Sequence, residues 1–287
     1  RAGLPEDLAE LSAALLARDP ATRPTGPEVI ARLDGRAPRG VVRRLDGPSS
    51  GVDRPLVGRA RELALLHEAF AGGARVVHLR GPDGCGKSAL ARRFLDGLEQ
   101  RGEAQVLRGR CREQERLPFP GLDALVDALA PLLARLPATR LASLLPADLP
   151  ELVRLFPILD DLGAPAPRHL PGQAMGERDR RALAALRALV LHLAASERVI
   201  FDLDDAERCD LESLRWLCAL AEAEQRAPLV VFTYRCEALD ASPALDELSR
   251  RRGAGGARDV LVGALDRSGA VAMARSRLPR DAQAQTI

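Results

Sequence analysis

Lysine is almost missing from this chain. Arg and Lys together number 42, and a single one of them, Lys87, is Lys. Positions that most proteins fill with either cation carry Arg here, the mark of a GC-rich codon bias acting on the whole chain. A position that keeps Lys against that bias needs a compact ammonium, because the guanidinium is wider, planar and differently hydrated. One-sided charge is missing as well. The 42 basic residues face 40 acidic ones, for a formal net charge of +2, which removes any general case for nucleic-acid or membrane-surface binding.

Other absences narrow the field further. The five cysteines, Cys85, Cys111, Cys209, Cys218 and Cys236, form no C-x-x-C pair, and their odd number argues against a disulfide framework. A reducing, cytoplasmic setting is expected. No apolar run is long enough for a bilayer: the longest, Ala182 to Ala195, is broken by Arg187 and His192 and reads as a buried helix. His67, His78, His169 and His192 show no metal-ligand spacing, and no Ser-His-Asp or Cys-His set assembles. His78 reads as a strand residue, and Trp216, the one Trp, as core. There is no internal repeat and no low-complexity tract.

What remains is an alternation of helices and short β-branched runs. Leu4, Leu8, Leu11, Leu15 and Leu16 space a first helix that stops at Asp19-Pro20, and a second runs from about Thr25 to Leu33. Two such helices bury too little to stand alone, so residues 1–34 are expected to be the end of a larger domain and the chain a fragment. Residues 35–54, rich in Gly, Pro, Ser and Arg, read as a linker. From 55 to 287 strands are expected to end near Leu79, Leu107, Phe201, Thr233 and Val262, with helices between them. That is the pattern of an α/β domain with a mostly parallel sheet. The Leu- and Ala-rich interval Gly121 to Arg198 is expected to be a helical insertion between the second and third strands.

The lone Lys falls in RGPDGCGKSALARRF, where Gly81, Gly86, Lys87 and Ser88 satisfy G-x-x-x-x-G-K-[ST] between a strand pattern and a helix pattern. The glycines permit dihedrals and close approaches that a Cβ blocks. The loop from Gly81 through Gly84, Cys85 and Gly86 to Ala89 would then aim backbone N–H groups and a helix amino end at phosphates. Lys87 would set a point charge against the β- and γ-phosphates, and Ser88 would ligate Mg²⁺. Cys85 reads as a small loop residue. On the strand Val199 to Leu203, Asp204 is expected to hold the metal and Asp205 to polarise the attacking water. Asp202, where the run should be apolar and on the same side of the strand as Asp204, is expected to be a partly exposed edge residue, with a third carboxylate near the metal as the alternative. Thr233 and Arg235 close the next strand at the end where open α/β sheets bind ligands, placed to read a γ-phosphate.

PLVGRARELALLHEAF, the loop just described, VIFDLDDAERCDLESL and VVFTYRCEA together resemble the nucleotide-binding domain of STAND and Orc1/Cdc6-like AAA-type ATPases, over about four-fifths of the chain. Residues 107–129 and LPADLPELVRLFPIL are more similar to bacterial proteins that fuse a serine/threonine kinase to such an ATPase. LPEDLAELSAALLARDPATRPTGPEVIARL resembles the last kinase C-lobe helices, with Asp19-Pro20 and Arg23-Pro24 in a D-P-x-x-R-P pattern. The resemblance implies a P-loop fold, ATP and Mg²⁺ as cofactors, Gly58 and Arg59 near the adenine, and Arg235 as a sensor. It also implies an upstream kinase domain, downstream helical repeats and a nucleotide-dependent oligomer. The chain departs from the pattern at Asp202, Glu207 and Arg208, where an aliphatic residue, Gln or His, and Trp are usual, and slow turnover is expected. No H-R-D or D-F-G motif lies within the chain, so this segment cannot itself phosphorylate protein by the kinase mechanism. A nucleotide-holding scaffold or transcription-regulator core is the alternative. DNA loading in the Orc1 manner is weaker, for want of a winged-helix segment or basic stripe.

Overall fold

The computed structural model of the 287-residue chain describes residues 56–111, 119–162, 175–222, 226–236, 242–253 and 255–277, together with residues 10, 11, 14, 15 and 24. The chain divides into two units, residues 1–54 and 55–287. In the first, residues 10, 11, 14 and 15 are helical, with Leu11 buried and Leu15 exposed. The rest of the two-helix pattern, most of its D-P-x-x-R-P stretch and the 35–54 linker lie outside the described residues.

The second unit is an α/β domain built on five strands: β1 (Val76–Gly81), β2 (Gln105–Arg110), β3 (Val199–Asp204), β4 (Leu229–Arg235) and β5 (Ala257–Leu261). All are parallel, in the order β2-β3-β4-β1-β5. Helix α1 (Ala60–Ala71) precedes β1, and α2 (Lys87–Gln100) joins β1 to β2. Between β2 and β3 lie α3 (Pro120–Ala134), α4 (Ala138–Leu144), α5 (Leu149–Leu155), a 3₁₀ turn at Pro157–Leu162 and α6 (Met175–Ser196), the helical insertion expected from the sequence. Helices α7 (Leu211–Glu222), α8 (Pro243–Arg251) and α9 (Arg267–Arg277) complete the described elements.

Alternation along the strands sorts side chains onto two faces. Val77, Leu79, Ile200, Val231 and Val260 pack with Leu66 and Phe70 of α1 and Leu90, Phe94, Leu95 and Leu98 of α2. Val76, Leu107, Phe201, Leu203, Val230 and Phe232 pack against the other layer, drawn from α3, α5, α6, α7 and α8. With both faces covered, the inner strands β1, β3 and β4 are buried on both sides and read as largely apolar runs, which is why they stood out in the sequence. Trp216 is half-buried against this second cluster, its Nε1 donating to the Leu183 carbonyl at 3.3 Å.

Register aligns the carboxyl ends of four strands. Gly81 of β1 pairs with Arg235 of β4, Arg110 of β2 with Asp204 of β3, and Leu203 of β3 with Phe232 of β4. At the opposite edge, a cavity of about 420 Å³ opens where β1, β3 and β4 begin. Three helices end there, and an Arg meets a terminal carbonyl of each: Arg198 donates to Phe70 O at 3.3 Å, Arg226 to Ala195 O at 2.7 Å and Arg75 to Ala221 O at 3.1 Å. Cations at helix carboxyl ends satisfy orphan carbonyls and oppose the helix dipole, which accounts for this arginine cluster. Among the described residues no helix is long and apolar enough to cross a membrane.

Candidate functional site

The loop between β1 and α2 is held open by its glycines. A Cβ at Gly81 would lie 2.0 Å from the Val262 carbonyl oxygen, so only Gly lets β1 run this close to the chain leaving β5. Gly86, with φ at 95°, turns the chain through the left-handed region straight into α2, whose amino end carries no side-chain cap. Its first-turn amides are therefore left to a ligand or solvent. The Gly84 amide donates to Asp83 Oδ1 at 3.0 Å, and Cys85 is half-buried.

Lys87 lies in the first turn of α2 with 7% of its surface exposed. Its ammonium curls back over the loop, donating to Gly81 O at 3.0 Å and Pro82 O at 2.7 Å, with Cys85 Sγ at 3.9 Å. These are neutral partners, and Lys87 makes no ion pair with any described residue. A cation this deeply buried is costly unless an anion joins it. The cradle therefore fits a phosphate by both shape and charge.

The next residue, Ser88, donates its hydroxyl to Asp204 Oδ1 at 2.9 Å, bridging from α2 to the end of β3. Burial holds the Asp204 carboxyl above its ordinary range, partly offset by the Ser88 hydrogen bond. A hydroxyl and a carboxylate in contact form a hard oxygen pair of the kind that holds Mg²⁺ together with phosphate oxygens and water. Residues 55–232 match the AAA ATPase domain family.

The chain belongs to that family. Among solved structures it is similar to Cdc6p from Pyrobaculum aerophilum, at 19% identity and a TM-score of 0.42, covering 75% of this chain and 48% of that one. It is also similar to a Walker-type ATPase of Pyrococcus abyssi, at 20% identity and a TM-score of 0.42, covering 75% of this chain and 56% of that one. The chain thus spans about half the length of each. No curated protein matches it.

Around the AAA domain's loop the other predicted residues fall as follows. Asp205 follows Asp204 with φ at 55°, and its carboxylate takes a 2.8 Å ion pair from Arg110. Arg235 does not stand free in solvent: its Nε donates to Glu207 Oε1 at 2.6 Å, and this pairing raises the guanidinium's already high pKa. Thr233, 2% exposed, points its Oγ1 into the α2 side of the sheet with no hydrogen-bond partner among the described residues. Arg59 is 5% exposed and acts as a clamp, donating to Cys85 O at 2.8 Å, Gly263 O at 2.6 Å and Glu62 Oε1 at 2.8 Å. Beside it Gly58, with φ at 70°, leaves room where a Cβ would meet Leu265 and Gly269 as the chain enters α9.

One expectation is overturned. Asp202 is no edge residue: β3 lies between β2 and β4, and Asp202 is 8% exposed with Oδ1 unpartnered among the described residues. It lies on the α2 face, two residues before Asp204. Burial, reinforced by Asp204, pushes its pKa up to about 7 against the pull of Arg108 and Arg92. The sequence offered only its odd polarity; the strand order that buries it was not readable. Arg110 and Glu207 escaped sequence reasoning as site residues for the same reason, since their partners become neighbours only through strand register and a 3₁₀ turn.

Proposed function

We propose that residues 55–287 form an ATP-binding switch that hydrolyses ATP slowly. The observation that carries this reading is the buried Lys87 ammonium, hydrogen-bonded only to neutral partners within a glycine-opened loop and adjoined by the Ser88–Asp204 pair. When bound, ATP with Mg²⁺ supplies a transferable γ-phosphoryl group and the cationic charge that offsets it. Gly81, Gly84, Cys85, Gly86 and Ala89 line the phosphate loop through their backbone, and Lys87 meets phosphate charge. Ser88 and Asp204 hold the metal. Asp205 orients the attacking water, and Thr233 and Arg235 read the γ-phosphate. Gly58 and Arg59 fix the loop from the adenine side, in keeping with the Arg59 contact to Cys85 O.

A second reading, a scaffold that holds nucleotide without turning it over, draws support from the Arg110–Asp205 pair, which occupies the acid needed for water. Phosphate release separates the two. Release that Asp205→Ala abolishes selects the ATPase, and no release from the parent protein selects the scaffold. Binding itself is tested with Lys87→Ala: affinity for Mg·ATP should fall at least tenfold, since a charge-assisted contact to phosphate is worth about 1.5–3 kcal/mol. Equal affinity in parent and variant refutes the reading.

At the level of the whole polypeptide, we read the switch as part of a cytoplasmic bacterial signalling protein. A serine/threonine kinase domain lies upstream, and helical repeats lie downstream. Support for this wider context is the resemblance of residues 4–33 to kinase C-lobe helices. H-R-D and D-F-G motifs encoded ahead of Arg1 are the expected outcome, and their absence from that stretch removes the kinase from the proposal.

A further inference from the structure

Arg235 sits at the carboxyl end of β4, one strand from the phosphate loop and level with Gly81. A long, half-buried Arg carries several rotatable bonds, and holding it in one place costs entropy that some partner must offset. Here the partner is Glu207. Asp205, in the left-handed conformation, breaks the line of β3, and Ala206–Arg208 then forms a single 3₁₀ turn closed by Arg208 N–H to Asp205 O at 2.9 Å. That turn points Glu207 inward, so its side chain is 3% exposed while that of Arg235 is 32% exposed. The 2.6 Å contact uses Oε1 and the guanidinium Nε only. Glu207 Oε2 has no hydrogen-bond partner among the described residues.

The asymmetry gives the pair a direction. Burying a carboxylate to meet a surface Arg is a poor route to stability, because desolvation offsets most of the attraction. The rigid, buried member fixes the more exposed one. Binding through Nε alone leaves the planar Nη1–Nη2 fork, the edge that grips phosphate, unspent on Glu207. We propose that Glu207 is the positioning residue for Arg235, anchoring its Nε at the end of β4 so that the guanidinium fork is presented to the γ-phosphate. This rests on the reading of Arg235 as the γ-phosphate sensor.

A ratio tests this better than an activity. Affinities for Mg·ATP and Mg·ADP are measured by calorimetry on the whole chain, for the parent, Arg235→Ala, Glu207→Ala, Glu207→Gln and the Arg235→Ala/Glu207→Ala pair. ADP affinity serves as an internal check that each protein is folded, with thermal unfolding as a second. Arg235→Ala should reduce the preference for ATP over ADP about tenfold, the scale of one charge-assisted hydrogen bond. Glu207→Ala should produce a comparable reduction with ADP affinity unchanged, and the double variant should lose no more than either single one. Glu207→Gln, which keeps an acceptor oxygen for Nε, should retain most of the preference. If Arg235→Ala lowers the ratio but Glu207→Ala does not, or if the two losses add, the positioning role is overturned and the sensor stands. If Arg235→Ala leaves the ratio untouched, sensor and positioning role fall together.

Discussion

Two acids two residues apart on one strand, Asp202 buried and Asp204 half-buried, meet different surroundings. Asp204 has the Ser88 hydroxyl, whereas Asp202 has an oxygen with no partner among the described residues and a pKa of about 7. An acid whose folded pKa lies above its unfolded value of 3.8 contributes stability below pH 4, and that contribution is lost as the pH rises through 7. Asp202→Asn removes the titration while keeping the shape. Its stability advantage over the parent should therefore widen from pH 5 to pH 8 by about 2–3 kcal/mol, at about 1.4 kcal/mol per pH unit up to the folded pKa. Urea unfolding at the two pH values measures the gap, and a constant gap would show that Asp202 is ionised throughout. Residue identity was legible in the sequence here, and environment was not. Lys87 and Ser88 could be assigned from their spacing alone, because their chemistry is local to one loop. The partners of Arg110 and Glu207 lie 95 and 28 positions away in sequence, so nothing local marks them.

At the scale of elements, the β1–α2 loop is where backbone and neighbours leave least room. Alanine at Gly81 forces its Cβ against the Val262 carbonyl, a backbone atom that can move only with the chain leaving β5, and overpacking of this kind costs about 2–3 kcal/mol. Alanine at Gly86 meets nothing within 4 Å, and its cost is the left-handed φ, about 1–2 kcal/mol. Urea midpoints should rank the parent above Gly86→Ala and that above Gly81→Ala, and the reverse order for the two variants would contradict the close approach of β1 to Val262. The elements themselves were readable because the inner strands β1, β3 and β4 are buried on both faces and the helices repeat at threes and fours. Element pairing was less so: β2 and β3 are separated by the long helical insertion yet are neighbours in the sheet, and that pairing sets Arg110 against Asp205. Arg110→Ala frees the acid, so phosphate release should rise severalfold with Mg·ATP affinity little changed. A fall in release would mean that Arg110 acts on the nucleotide rather than restrains Asp205.

For the whole molecule, the sheet collects residues from distant stretches along one edge, so nucleotide bound there stabilises the unit that carries them. Mg·ATP at one hundred times its dissociation constant should add about 2.7 kcal/mol, which for a unit of this size raises the unfolding midpoint by roughly 5–10 °C. Differential scanning fluorimetry should record that shift in the parent and its collapse in Lys87→Ala. An equal shift in both would place the nucleotide elsewhere.

The burial of Lys87 in the first turn of α2 has one more consequence, which concerns cleavage rather than binding. A lysine-specific protease finds a single bond to cut in this chain, between Lys87 and Ser88, and that bond lies inside a helix with its side chain covered. Proteolysis must wait for the loop to open, so the appearance of two fragments is a clock for that opening alone. A chain that spends its basic residues almost wholly on Arg thus carries, at its phosphate loop, a built-in reporter of how often that loop comes undone.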